Sequence, residues 1–171
     1  GYTAARGAVY VDCTGDADLA FRAGCTCEQG GPSGHCQPMT LCFKLSNVDR
    51  GNMPARDQIN LLYDEARARG EINCLREDIL LFHWFEDDVI HFNTTRVIHR
   101  SGTSGTELSD AELQARQQVR ELLRFFRQHV SGFEQAELFS MAHHIGVRES
   151  RRVLGHEYLT RDAFEQKRKC A

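Results

Sequence analysis

One long amphipathic segment constrains the fold more than any other feature of this sequence. In residues 110–129, apolar side chains recur every three or four positions and form a single stripe. The stripe consists of Val119, Leu122, Leu123, Phe126 and, just beyond, Val130. This spacing predicts a helix that packs one face on a core. Ser109, with Glu112 three residues on, forms a capping box, so we expect the helix to begin at residue 110.

The rest of the chain alternates shorter strand and helix signals. Strand-like runs, rich in β-branched and aromatic residues, fall at residues 8–12, 39–45, 79–84 and 89–97. The last two flank a short turn and predict a hairpin. Helical spacing returns in residues 57–69, and Thr160 is placed to cap a last helix that runs toward residue 167. Residues 25–38, rich in Gly and Pro, indicate a loop. The order predicts an α+β fold with an antiparallel or mixed sheet.

Composition excludes several classes of partner. The 171 residues carry a net charge of −3, so the basic surface that nucleic-acid binding needs is missing. No apolar run reaches the ~18–20 residues of a membrane helix, and the first residues do not form a signal peptide. The seven cysteines are an odd number, which argues against a disulfide framework. We therefore expect a cytoplasmic protein with no nucleic-acid or membrane partner.

The cysteines pose one alternative of their own. Cys25, Cys27, Cys36 and Cys42 lie close in sequence, with His35 among them. Thiolates can hold zinc tetrahedrally, but the C-x-C-x8-C-x5-C spacing lacks the paired C-x2–4-C pattern of structural zinc sites. We predict no metal site and keep a zinc-stabilised domain as an alternative.

A glycine turn near the beginning of the chain is the first candidate for chemistry. Thr14, Gly15 and Asp16 follow the first predicted strand and precede a short predicted helix, residues 17–23, which ends at Gly24. Free backbone N–H groups at such a turn can meet an anion or a polar ligand, and an Asp can accept hydrogen bonds from sugar hydroxyls. The simpler interpretation is that Asp16 only caps the helix.

The second candidate lies near the other end. The arginine segment, residues 146–155 (GVRESRRVLG), contains Arg148, Glu149, Arg151 and Arg152. A guanidinium fork suits a carboxylate or a phosphate, and His143 and His144 stand just before the segment. The alternative is a solvated turn with a local Arg–Glu pair. The chain contains no G-x-G-x-x-G, P-loop, G-x-S-x-G or H-E-x-x-H motif.

Both candidates lie in stretches that resemble one family. VDCTGDADLAFRAG, residues 11–24, resembles the second flavin-contacting segment of FAD-dependent oxidoreductases. Residues 132–160 resemble a later segment of one branch, akin to the flavoprotein subunit of heterodisulfide reductases. QPMTLCFKL and HFNTTRV, residues 37–45 and 91–97, resemble the intervening substrate-domain strands. The similarity covers nearly the whole chain in the family's order.

The resemblance implies FAD as the cofactor and places Thr14, Gly15 and Asp16 on its flavin side, with Cys13 where Ala is usual. It also implies two parts: residues 1–24 as a remnant of the FAD-binding domain, and residues 25–171 as most of a substrate or cap domain. In the family a glycine-rich Rossmann segment precedes this region and a closing flavin segment follows it. We therefore expect an internal fragment that retains FAD weakly or not at all.

The resemblance further implies that the parent protein transfers a hydride from a small organic substrate to FAD. Arg148 or Arg152 would hold an anionic or carbonyl oxygen of that substrate, and His144 or His143 would move a proton. The first strand, residues 8–12, would lack its sheet neighbours and could pair with a second copy in a homodimer. The alternative is a non-catalytic binding or interaction module of the same α+β shape.

Overall fold

The computed structural model describes residues 3–157 and 159–169, and its architecture is α+β as predicted. The helices are α1 Asp18–Arg22, α2 Arg56–Ala68, α3 Gly105–His129 and α4 Arg161–Glu165. The strands are β1 Cys27–Gln29, β2 Phe43–Ser46, β3 Leu81–His83, β4 Ile90–Phe92, β5 Glu137–Met141 and β6 Arg151–Val153. No helix in these described ranges is long and apolar enough to cross a membrane.

The main sheet has four antiparallel strands in the order β3-β4-β2-β5. Alternation along β2 and β4 buries Phe43 against Phe92 and leaves Lys44 opposite His91 on the other face. The predicted hairpin is confirmed as β3–β4, with shorter strands than the sequence indicated. The predicted strand 39–45 is also present in part, because β2 begins only at Phe43 and Met39 forms an isolated bridge with Val97.

Two helices cover the buried face of this sheet. Phe126 of α3 packs on Phe92 of β4 with ring centres 4.8 Å apart, and Phe125 meets Tyr63 of α2 at 6.0 Å. The predicted apolar stripe of α3 is confirmed: Val119, Leu122, Phe126 and Val130 are buried, and Leu123 packs partly buried against the same core. The helix predicted for residues 57–69 is confirmed as α2.

The predicted start of α3 is wrong by five residues. The helix begins at Gly105, and Ser104 caps it by accepting a hydrogen bond from the Glu107 N–H. Ser109 instead donates back to the Gly105 carbonyl at 2.9 Å, inside the helix. Glu112 accepts from the Ile145 N–H at 2.6 Å, a tertiary contact that the capping-box interpretation did not include.

The predicted strand at residues 8–12 is not formed. Val9 and Val11 are 80% and 76% exposed, and the segment pairs with no strand in the described ranges. Tyr10 instead accepts a hydrogen bond from the Gly7 N–H, at 2.8 Å. An apolar β-branched run forms a strand only where a neighbouring strand can satisfy its backbone groups, and none lies beside it here.

A small second sheet contains the middle of the arginine segment, at β6. β1 and β6 pair antiparallel, with Glu28 opposite Arg152 and Gln29 opposite Arg151. The prediction of an uninterrupted loop over residues 25–38 is therefore wrong at β1. The turn after β1 requires glycine at Gly30, which has φ +72° and whose added Cβ would lie 2.7 Å from the Gly34 backbone.

Candidate functional site

The glycine turn is held in shape by a residue that the sequence analysis missed. The Asp12 carboxylate accepts from the Thr14 N–H at 2.9 Å and the Thr14 hydroxyl at 2.7 Å, and from the Ala20 N–H at 2.8 Å. The Ala20 N–H, followed by the Thr14 hydroxyl, lowers the pKa of Asp12 below its ordinary value. An Asp two residues before a Thr in a glycine turn is a recognisable Asx pattern and could have signalled this role.

Asp16 does not cap α1, contrary to the capping interpretation. The N-cap residue is Ala17, at φ 52° and without a side-chain cap, while the Thr14 hydroxyl accepts from the Asp18 N–H at 3.1 Å. Gly24 follows the C-cap of α1 with φ +85°, the left-handed conformation predicted for the glycine that terminates this helix. The Asp16 carboxylate makes no hydrogen bond or ion pair with any described residue, so it is free to meet a ligand.

The turn and the arginine segment lie against each other. The Ser150 hydroxyl donates to the Gly15 carbonyl at 3.2 Å, and Arg151 Nε donates to the Asp16 carbonyl at 3.0 Å, across 135 residues of chain. Together they form a cleft of about 410 Å³. Its lining residues are Gly15, Asp16, Gln37, Val147, Arg148, Glu149, Ser150, Arg151 and Arg152. The structure thus brings together the two motifs that the sequence singled out separately.

Arg151 is the main tie between these two motifs. Besides the Asp16 carbonyl, its guanidinium pairs with the Asp18 carboxylate and lies 4.3 Å from the centre of the Phe21 ring. Its side chain is only 14% exposed. Arg151 therefore fixes the turn and α1 onto β6.

Arg152 is also occupied within the protein. Its guanidinium pairs with Glu149 and with Glu28, at 3.3 Å for the latter, and donates to the Gly30 carbonyl at 2.9 Å. Glu149, and then Glu28, raise the pKa of Arg152 above its ordinary value. Glu149 in turn accepts from the Gln37 N–H at 2.8 Å. These contacts position Glu149 and the loop after β1 at one wall of the cleft.

Arg148 differs from its two neighbours. It is exposed, lines the cleft and makes no hydrogen bond or ion pair with the residues that the structure describes. Its charge nevertheless acts on Cys42: burial raises the pKa of the Cys42 thiol, and Arg148 opposes that rise. Arg148 is thus the arginine of the segment whose guanidinium can serve a ligand without breaking an internal contact.

The two histidines do not line the cleft. The His144 ring is 92% exposed and lies 3.9 Å from the carboxylate of Glu112, which belongs to α3. His143 is exposed too, and its carbonyl accepts from Arg116 at 3.0 Å. The structure therefore does not bring His144, predicted to be catalytic, together with the arginines.

The cysteine cluster gains no support as a metal site. Each cysteine within the described ranges is free, and these ranges contain no group of three or more His, Cys, Asp or Glu residues placed to hold a metal ion. Cys25 and Cys13 are exposed, and Cys42 lies at the main sheet. Cys170 lies outside the described residues.

The cleft offers the open backbone at Gly15, the Asp16 carboxylate and the Arg148 guanidinium, a set of groups suited to the class of polar cofactors. Comparison with known families agrees with that class: the profile of the FAD dependent oxidoreductase family matches residues 1–171. The chain therefore belongs to the FAD-dependent oxidoreductase family. Comparisons with curated proteins and with solved structures gave no significant match.

Proposed function

We propose that the cleft between residues 14–16 and the arginine segment forms one side of an FAD site, in a parent enzyme that oxidises a small organic substrate. The family membership and the shared cleft support this proposal. The observation that carries it is the pair of hydrogen bonds from Ser150 and Arg151 to the turn. When bound, FAD supplies the hydride acceptor for such a reaction.

The groups that line the cleft fit part of this cofactor. A Cβ added at Gly15 would meet nothing within 4 Å, so the backbone there is open to a ligand. The Asp16 carboxylate can accept hydrogen bonds from hydroxyl groups, and Arg148 offers a guanidinium for a carbonyl or a phosphate oxygen. A dinucleotide also needs a glycine-rich phosphate turn, and this sequence has none. We therefore propose that these residues alone bind FAD weakly.

The internal contacts suggest different roles for the charged residues. Arg148 holds an anionic or carbonyl oxygen, because its guanidinium has no internal partner among the described residues. Arg152 acts as a positioning residue that holds Glu149 through their ion pair. The proton-transfer role predicted for His144 has no geometric support, because its ring faces solvent beside Glu112.

Other parts of the assignment rest on the sequence. We propose the branch akin to the heterodisulfide reductase flavoprotein subunit because residues 132–160 resemble it. The division into residues 1–24 and 25–171 as parts of an FAD-binding domain and a cap domain follows the same resemblance. A cytoplasmic location is proposed from the odd number of cysteines.

Flavin titration tests the cofactor proposal. FAD fluorescence is followed as the protein is added, and Arg148→Gln should weaken binding at least about tenfold, the value of one charge-assisted hydrogen bond. Arg120→Gln is the matched control. Arg120 is an exposed arginine on α3, so this substitution removes the same charge at a position outside the cleft. Equal losses in both variants would show that only net charge matters and would contradict the proposal.

The catalytic proposal is tested in the full-length parent enzyme. Arg148→Ala should lower turnover at least about 10²-fold if the guanidinium stabilises transition-state charge. Turnover equal to that of the unaltered enzyme would remove this role. FAD binding by a parent protein that shows no turnover of its own would favour the non-catalytic binding module.

A further inference from the structure

The face of the main sheet that α2 and α3 leave uncovered contains a second, separate pocket. Along one register line, Phe82 of β3 lies opposite His91 of β4, His91 opposite Lys44 of β2, and Lys44 opposite Ser140 of β5. Beside this row is a cavity of about 300 Å³. Its lining combines apolar groups with a few polar ones and contains no Asp or Glu.

The polar groups in this pocket lack internal partners. Lys44 Nζ lies 3.5 Å from the centre of the Trp84 ring and pairs with no carboxylate in the described part of the chain. His91 Nδ1 is buried, and no hydrogen-bond partner for it is present among those residues. The described residues thus leave the Lys44 ammonium beside the cavity without a carboxylate partner, and a ligand in the cavity can supply one.

The charge of the pocket specifies the kind of ligand. Lys44 brings an ammonium group to the pocket, and the Trp84 face holds it in place. Arg148 adds a second positive charge that acts on Cys42 at the pocket wall. Burial, followed by the charge of Lys44, lowers the pKa of His91, so its imidazole is neutral near pH 7 and can donate one hydrogen bond and accept another.

We propose that this pocket binds a small carboxylate with an apolar body. The carboxylate meets the Lys44 ammonium and the Ser140 hydroxyl, and the apolar body lies against Trp84 and Ala142. The inference goes beyond the flavin proposal and does not depend on it, because binding at the sheet face requires no residue of the glycine turn and no cofactor.

Trp84 makes the test direct, because it is the single tryptophan of the chain and lines the pocket. Benzoate is titrated into the cofactor-free protein while tryptophan emission is followed, and calorimetry gives the affinity independently. We expect a saturable change in emission, and binding of benzamide, which has the same shape without the charge, at least about tenfold weaker. Benzamide bound as tightly as benzoate, or no saturable signal, would overturn the proposal.

Variants separate a local role of Lys44 from a general effect of charge. Lys44→Gln should weaken benzoate binding at least about tenfold by calorimetry, whereas Lys44→Arg should retain most of it and Arg120→Gln all of it. Circular dichroism checks that Lys44→Gln keeps the fold. An unchanged affinity in Lys44→Gln contradicts the proposal. Benzoate binding in a protein that fails the flavin titration would uphold this inference while rejecting the flavin site.

Discussion

Removing the Arg151 guanidinium should loosen α1 from β6 without unfolding the rest of the protein, while the Ser150 hydrogen bond to the Gly15 carbonyl remains. In Arg151→Met the apolar stem stays, but the hydrogen bond to the Asp16 carbonyl, the ion pair with Asp18 and the contact with the Phe21 ring are lost. Helix α1 has five residues and none of them is buried. Its attachment therefore depends on this side chain more than on packing.

The size of the effect follows from the three contacts. A hydrogen bond from a charged donor contributes about 1.5–3 kcal/mol, and a cation on an aromatic face about 0.5–1 kcal/mol. The pair with Asp18, which is 52% exposed, adds at most about 1 kcal/mol. A local loss of at least about 2 kcal/mol corresponds to roughly 30-fold more frequent opening.

Hydrogen exchange of backbone amides measures this local opening. The amides of Phe21, Ala23 and Cys25 donate within α1 and its C-terminal turn, to Ala17, Leu19 and Ala20. They should exchange at least about 30-fold faster in Arg151→Met. The thermal midpoint of the main transition should stay the same, because the core cluster lies entirely in residues 39–145.

A matched variant separates this contact from arginine loss in general. Arg161→Met removes an arginine whose only ion pair in the described residues, with Glu165, is solvent-exposed, so α1 exchange should not change. Unchanged exchange in Arg151→Met, or a fall in its midpoint as large as that of a core variant, would refute the account of Arg151 as a local tie.

Four further changes have expected outcomes. Phe92→Ala should lower the free energy of unfolding by about 3–5 kcal/mol in urea titration, because Phe92 is fully buried between Phe43 and Phe126. Gly132→Ala should cost more than about 1 kcal/mol, since Gly132 has φ +83° and its added Cβ would lie 2.4 Å from the Asp49 carbonyl oxygen; a neutral result would contradict this geometry. The folded state holds the pKa of Asp12 below 3.8, so the stability that its carboxylate gives α1 is present above pH 3.8 and is lost as pH falls through the folded pKa. Hydrogen exchange of the α1 amides should therefore depend on pH in this range, and that dependence should disappear in Asp12→Asn. If residues 8–12 join two copies, sedimentation should show a dimer that becomes a monomer in Val9→Lys with Val11→Lys, and a monomer of the unaltered chain would reject that interface.

Elements with strong local periodicity could be predicted from the sequence. The stripe of α3, the helix α2 and the β3–β4 hairpin each bury residues at a regular spacing, so the sequence pattern alone indicates the type of element and its buried face. The start of α3 could not be settled in this way, because Ser104 with Glu107 and Ser109 with Glu112 both have capping-box spacing. The Glu112 carboxylate accepts a hydrogen bond from the Ile145 N–H, so it does not serve a cap at Ser109, and the helix starts earlier. Because Ile145 is distant in sequence, local patterns could not reveal this contact.

Strand pairing over long distances could not be predicted. β1 and β6 have three residues each and pair across more than a hundred residues, and none of their side chains is fully buried, so they give no hydrophobic alternation. Residues 8–12 show the opposite case: a strong strand pattern without a neighbouring strand to pair with. A sequence with high β propensity forms a strand only where a second strand is available for backbone hydrogen bonding.

The candidate site was predictable as two motifs but not as one cleft. The glycine turn and the arginine segment each have a recognisable pattern, whereas their contact depends on where β6 places Arg151. The sequence also could not show which arginine lacks an internal partner, because Arg152 is occupied through Glu28 on β1, a strand that was predicted to be loop.

The central claim is that the glycine turn and the arginine segment bind the same flavin. Two-dimensional amide NMR during a titration with FAD tests it most directly, since each residue reports separately. If both motifs bind one flavin, the amides of Gly15, Asp16 and Arg148 shift together along one binding curve, while those of α2 stay in place. Shifts at only one of the two motifs, or at neither, would contradict it.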